Sequence, residues 1–134
     1  MIAFDTNMLL RVSVWDDAKQ AATATAIVEQ ALASREEIYI NPIALSEYTW
    51  TLDRTYKANR HEQAAAVRKF LDCPPYRLFD AGIVEIALTS FESSKADFSD
   101  CLIGAMNSTV PVRTTYTFDK AAASLESFTL PRKV

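Results

Sequence analysis

The chain has 134 residues, 49% hydrophobic and 23% charged, with a formal net charge of −3. That length suits a single domain, residues 1–134, able to bury roughly two-thirds of its unfolded surface, with the composition of a soluble globular protein. A weakly negative chain is not a uniformly basic nucleic-acid binder, so any polyanion contact has to come from a local patch.

No apolar run approaches the roughly 20 residues of a membrane span, and the first residues lack the basic start of a secretory signal. The two cysteines, Cys73 and Cys101, each lie in an apolar segment. That suits buried thiols in a reducing, cytoplasmic setting better than a disulfide framework or a thiolate metal site. The one histidine, His61, lies in a polar stretch and reads as a surface residue at a helix start. Ser-His-Asp chemistry and multi-histidine zinc sites are therefore poor candidates.

In chain order, the apolar run Met1-Ile2-Ala3-Phe4 stops on Asp5-Thr6-Asn7 and continues into helix formers. A strand that ends on a carboxylate and turns into a helix places that carboxylate at the C-terminal edge of a sheet, where open α/β sheets bind ligands. Asp16-Asp17 opens a long alanine-rich helix to about residue 34, both acids in its first turn and Ala21, Ala24, Val28, Ala31 and Leu32 on its apolar stripe. Residues 37–40 read as a second strand, ended by Asn41-Pro42, an N-cap followed by proline at the first helical position. The helix over 42–57 carries Leu45, Tyr48, Leu52 and Tyr56 on one face. A polar break at 58–62 leads to a helix with Val67, Phe70 and Leu71, stopped by Pro74-Pro75.

Residues 76–79 read as a third strand, and 80–94 as a helix using Ile83, Ala87 and Phe91. Ala96-Asp97-Phe98-Ser99-Asp100 opens a short helix with Leu102, Ile103 and Met106. Residues 110–118 read as the clearest strand after the first. It ends on Asp119-Lys120 and a small alanine-rich helix, and 127–130 suit a last edge strand. Strands alternating with helices predict an α/β fold with a parallel sheet between helical layers.

Asp5, Glu47, Asp97, Asp100 and Asp119 each have a plain alternative role. Asp5 and Asp119 suit helix caps, one of Asp97 and Asp100 caps the other's turn, and Glu47 suits a polar helix face. Asp5 and Asp119 end strands that a right-handed crossover topology can set side by side. Carboxylates gathered at one sheet edge repel one another in a low local dielectric, and a divalent cation removes that cost. An all-oxygen set without histidine or thiolate suits Mg²⁺ or Mn²⁺, and such sites cleave phosphodiesters. The two glycines, Gly82 and Gly104, stand in helical context, so neither a P-loop nor a dinucleotide fingerprint is present.

The stretches Phe4-Asp5-Thr6-Asn7-Met8-Leu9-Leu10-Arg11, Ser46-Glu47-Tyr48-Thr49-Trp50-Thr51-Leu52, Ala96-Asp97-Phe98-Ser99-Asp100-Cys101-Leu102-Ile103-Gly104-Ala105 and Thr117-Phe118-Asp119-Lys120 occur in the order and approximate spacing of PIN domains. End to end the chain resembles their VapC-type members, the toxins of toxin–antitoxin pairs. The resemblance implies a PIN-like α/β/α sandwich with a central, mainly parallel sheet. It also implies a Mg²⁺-dependent endoribonuclease that cleaves RNA by metal-activated water, with Mn²⁺ a plausible substitute. By motif position Asp5, Glu47, Asp100 and Asp119 match the family's acidic quartet and Asp97 an additional acid, all five as metal ligands. Asn7 and Thr117 match supporting polar residues. Cys101 and Gly104 stand where alanine is frequent.

The implied partners are an RNA substrate, a VapB-type antitoxin and a second copy in a homodimer, with no membrane. Arg11, Arg54, Lys57 and Arg113 are the candidate cations around the acids, and Arg11 equally suits a charge network. A PIN nuclease of RNA maturation without an antitoxin, and a non-enzymatic doubly wound module with Asp80 as phosphoacceptor, are the alternatives.

Overall fold

Asp5, Asp17, Asn41, Asn59 and Asp97 each accept a backbone N–H from the residue three positions on, and each starts a helix. A cap of this kind satisfies a donor that the helix itself leaves unpaired and is worth about 1 kcal/mol. In the computed structural model, which describes residues 1–132, the chain falls into two units, Met1–Ala81 and Gly82–Val134.

The first unit runs β1 (Ile2–Ala3), α1 (Thr6–Ser13), α2 (Ala18–Ser34), β2 (Ile38–Ile40), α3 (Pro42–Arg54), α4 (Arg60–Asp72) and β3 (Tyr76–Leu78). The strands form one parallel sheet in the order β1-β2-β3, with Ile2 opposite Ile38 and Ile38 opposite Tyr76. Ile38, Ile40, Leu9, Leu45, Tyr48, Val67 and Phe70 are buried. The Phe70 ring meets Tyr48 and Tyr76 edge-on, at centroid distances of 5.2 and 4.8 Å. Tyr48, whose hydroxyl donates to Ser13 Oγ at 2.7 Å, has its pKa pushed up to about 12, chiefly by burial.

The second unit holds α5 (Ala81–Glu92, entered from the first unit's last residue), α6 (Phe98–Asn107), β4 (Thr115–Tyr116), a 3₁₀ turn at Ala122–Ser124 and β5 (Phe128–Thr129). β4 and β5 pair in parallel, Thr115 opposite Phe128. Phe91 and Phe98 pack edge-on at 5.9 Å and are buried, as are Val84, Leu88, Leu102, Ala122 and Phe128.

Several expectations are corrected. Asp16 and Asp17 precede α2 rather than occupying its first turn: Asp17 is the cap, and Asp16 accepts from Arg11 at 3.2 Å and from the Tyr56 hydroxyl at 2.6 Å. On the α2 stripe, Ala21, Ala24 and Ala31 are buried, whereas Val28 is half-buried and Leu32 exposed. α3 stops at Arg54, because Lys57 takes a left-handed φ of 56° and Ala58 N–H returns to the Leu52 carbonyl at 2.9 Å. The strand expected over 110–118 shrinks to Thr115–Tyr116. Pro111 has no N–H to give a ladder, and the N–H groups of Ser108, Thr109 and Val110 turn back to carbonyls of α6. The alanine-rich segment after Asp119 closes as a single 3₁₀ turn. Cys101 is buried as expected, but Cys73 is exposed, since it ends α4 rather than continuing its packed face.

Candidate active site

The β1 ladder reaches the edge of Asp5: Phe4 N–H donates to the Tyr39 carbonyl at 3.1 Å. Asp5 then caps α1, its Oδ1 accepting Met8 N–H at 3.1 Å. β2 leads through Asn41 directly into α3, whose second turn carries Glu47. Asp5 and Glu47 thus follow the C-terminal ends of two adjacent parallel strands, the edge at which such sheets bind ligands. Thr6, beside Asp5, bridges to the second acid, its hydroxyl donating to Glu47 Oε2 at 3.5 Å. Thr6 was not among the expected site residues, and only its position inside the Asp-Thr-Asn stretch signals a role. Asn7 is exposed on the first turn of α1 and makes no side-chain hydrogen bond among the described residues.

The second unit gathers the other acids. Asp97 Oδ1 accepts Asp100 N–H at 2.8 Å and caps α6, so Asp100 rides on the first turn of the helix that Asp97 starts. Asp119 follows β4, and its Oδ1 accepts Ala122 N–H at 2.9 Å. Thr117 Oγ1 accepts Asp119 N–H at 3.0 Å. Burial, then the nearby Asp97 and Asp119 carboxylates, push the Asp100 carboxyl up to about 6. Capping occupies one carboxylate oxygen of Asp5 and of Asp97, and the Ala122 N–H occupies one of Asp119, which fixes each side chain. The plain role is real for Asp5 and Asp97, and each of the three acids keeps its second oxygen outside these bonds.

The candidate cations are differently placed. Arg11 is engaged with Gln20 at 2.6 Å and Asp16 at 3.2 Å, so it serves the charge network. Arg54 lies over the Trp50 ring at 5.6 Å and near Asp53 at 3.6 Å. Lys57 is exposed on its left-handed turn, and Arg113 donates to the Tyr116 hydroxyl at 3.2 Å.

Among the described residues no three His, Cys, Asp or Glu side chains are drawn together as a metal-holding group. The donor chemistry is nevertheless that of a hard divalent cation, all carboxylate oxygen. The charged form of Asp100 is disfavoured by burial and by two like neighbours, a cost that either protonation or a bound cation would relieve. The residues fit such an ion by chemistry, and it would relieve the repulsion that Asp97 and Asp119 exert on Asp100.

The family model of the PIN domain matches residues 2–123. The chain belongs to the PIN domain family. The match runs across both units, and among the described residues the parallel pairing of the strands, with six α-helices between β1 and β4, accords with the α/β class of a PIN domain. PIN domains are generally metal-dependent nucleases acting on RNA. No curated protein and no solved structure matches the chain. No helix among the described residues is long and apolar enough to cross a membrane.

Proposed function

We propose that this PIN domain is a single nuclease domain, a Mg²⁺-dependent endoribonuclease that serves as the toxin of a toxin–antitoxin pair in the cytoplasm. The observation that carries the nuclease reading is Asp100, an acid made costly to ionise by burial and by Asp97 and Asp119, in a chain whose family cuts RNA. Asp5, Glu47, Asp100 and Asp119 hold the ion in this reading, with Asp97 beside them, and Mn²⁺ substitutes. When bound, the ion supplies Lewis-acid stabilisation of the charge that builds up on the phosphate during phosphodiester hydrolysis.

The chain's own residues orient and pin. Backbone N–H groups hold one oxygen each of Asp5, Asp97 and Asp119, which fixes their rotamers before substrate arrives. Thr6 and Thr117 steady Glu47 and Asp119. Water adds to phosphorus, the P–O3′ bond breaks, and the products carry a 5′-phosphate and a 3′-hydroxyl. A VapB-type antitoxin that lays a basic side chain on the acids, and a homodimer, complete the reading.

The test is cleavage of single-stranded RNA by the wild type, Asp5→Ala and Asp100→Asn, in Mg²⁺ and in EDTA. Loss of activity in EDTA and in both variants supports the mechanism, and equal activity everywhere removes it. Growth arrest on expression of this chain alone, relieved by the product of an adjacent small gene, separates the toxin from a nuclease of RNA maturation.

A further inference from the structure

Phe118 is 88% exposed although it directly precedes Asp119, and Tyr116 is 59% exposed two residues earlier. Both forgo the gain of burial, yet neither stands on a loose loop. Thr117 between them donates its N–H to the Thr129 carbonyl at 3.0 Å and accepts Asp119 N–H at 3.0 Å. Thr114 Oγ1 and Thr129 Oγ1 lie 2.7 Å apart, tying the segment before β4 to β5. Thr115 and Thr117 are half-buried while Tyr116 and Phe118 face solvent. Tyr116 closes β4 and Phe118 stands at the bend just after it, so two exposed rings flank the half-buried Thr117.

The same surface carries positive charge. Arg113 donates to the Tyr116 hydroxyl at 3.2 Å. A cleft of about 570 Å³ beside it is lined by Arg113, Tyr116, Thr129, Leu130, Pro131 and Arg132. Neither arginine takes part in an ion pair among the described residues. In a chain of net charge −3, two guanidinium groups without an ion pair among the described residues line one cleft with the exposed Tyr116 ring, and the exposed Phe118 ring follows two residues on; this matches the chemistry that binds single-stranded nucleic acid, cations along the backbone and π faces for the bases.

We propose that Tyr116 and Phe118, with Arg113 and Arg132, form a subsite that stacks and holds single-stranded RNA leading away from Asp119. The proposal rests on the ribonuclease reading and deepens it. The subsite reads no base edges, so it sets affinity and direction along the strand rather than sequence. A protein face would need the apolar area of these side chains; an RNA subsite needs their π faces and the two charges. The test is built on that difference.

Binding of a mixed-sequence, fluorescein-labelled single-stranded RNA is followed by anisotropy in EDTA, which keeps the strand intact, and cleavage is followed separately in Mg²⁺. Tyr116→Ala and Phe118→Ala each weaken binding about fivefold or more. Phe118→Leu loses affinity as the alanine variant does, whereas Phe118→Trp keeps it. Replacing Arg113 and Arg132 by glutamine flattens the dependence of log K on log salt by about 0.7 for each phosphate no longer neutralised. KM for the long RNA rises and kcat holds. All four side chains are exposed, and unchanged melting curves confirm that the variants fold.

Wild-type affinity in every variant, with the wild type cutting RNA normally, overturns the subsite and leaves the nuclease reading standing. Full retention by Phe118→Leu, or a dimer in sedimentation that the alanine variants dissociate while RNA affinity is unchanged, assigns the face to protein and overturns it too. A wild type that cuts no RNA in Mg²⁺ overturns both.

Discussion

Asp97 receives the backbone N–H of Asp100 at 2.8 Å, so one acid of the pair holds the helix on which the other rides. The two roles of Asp97, cap and charge, respond differently to substitution. Asp97→Asn keeps an acceptor at the cap and removes the charge; Asp97→Ala removes both. Asp97→Ala therefore lowers stability by about 1 kcal/mol and Asp97→Asn by a few tenths at most. Chemical denaturation reads this directly, and equal losses in the two variants would refute the cap.

The same pair fixes a titration. Asp100 is pushed up to about 6 by burial first and then by the Asp97 and Asp119 carboxylates. In metal-free protein, carbon-detected NMR should place its midpoint near that value, and Asp97→Asn should move it down toward the ordinary carboxylate range. A carboxyl whose pKa is raised by folding contributes stability that is complete below its unfolded value of 3.8 and lost as pH rises through about 6. Binding of Mg²⁺ requires the ionised form, so affinity for the ion falls as pH drops below about 6. Isothermal titration at two pH values checks the sign.

Much of this was legible from local pattern. Asn41-Pro42 announces the start of α3, and the apolar run ending on Asp5 announces a strand followed by a helix, because caps and strand ends are written within a few residues. Lys57 is the opposite case. No glycine marks its left-handed turn, and an uninterrupted helical pattern runs through it, so only the structure shows where α3 stops. The 110–118 segment has β-rich composition, but Pro111 and the hydrogen bonds that unwind α6 decide against a ladder there. The acids themselves were visible singly. The reach of Thr6 to Glu47, and the burial that shifts Asp100, are tertiary facts with no local signature.

Gly104 lies on α6 where a Cβ would come within 2.7 Å of Phe128 Cε2 and 3.0 Å of Ser127 Oγ. Alanine gains about 1 kcal/mol of helix propensity over glycine. Overpacking against the buried Phe128 ring costs about 1–3 kcal/mol, so the cost wins. Gly104→Ala is expected to lower stability by about 1 kcal/mol. It also pushes on β5, whose Thr129 carbonyl anchors Thr117 beside Asp119, so RNA cleavage should fall with it. Gly104→Ala that melts higher than wild type would show that the ring moves freely.

Asp100→Asn separates stability from function most sharply. The asparagine keeps the shape of the side chain and removes the charge that burial and the two neighbouring acids disfavour. In EDTA at neutral pH the variant should therefore be more stable than wild type. Partial exposure of Asp100 screens the gain to on the order of 1 kcal/mol. Saturating Mg²⁺ reverses the order. The wild type gains RT ln(1 + [Mg²⁺]/Kd), about 2.7 kcal/mol at a hundredfold excess over Kd, while the variant has lost a ligand and gains little. Melting curves of both proteins with EDTA and with Mg²⁺ should thus cross. Parallel curves, with the ion stabilising both proteins equally, would remove Asp100 from the metal site and leave its raised pKa a feature of packing alone.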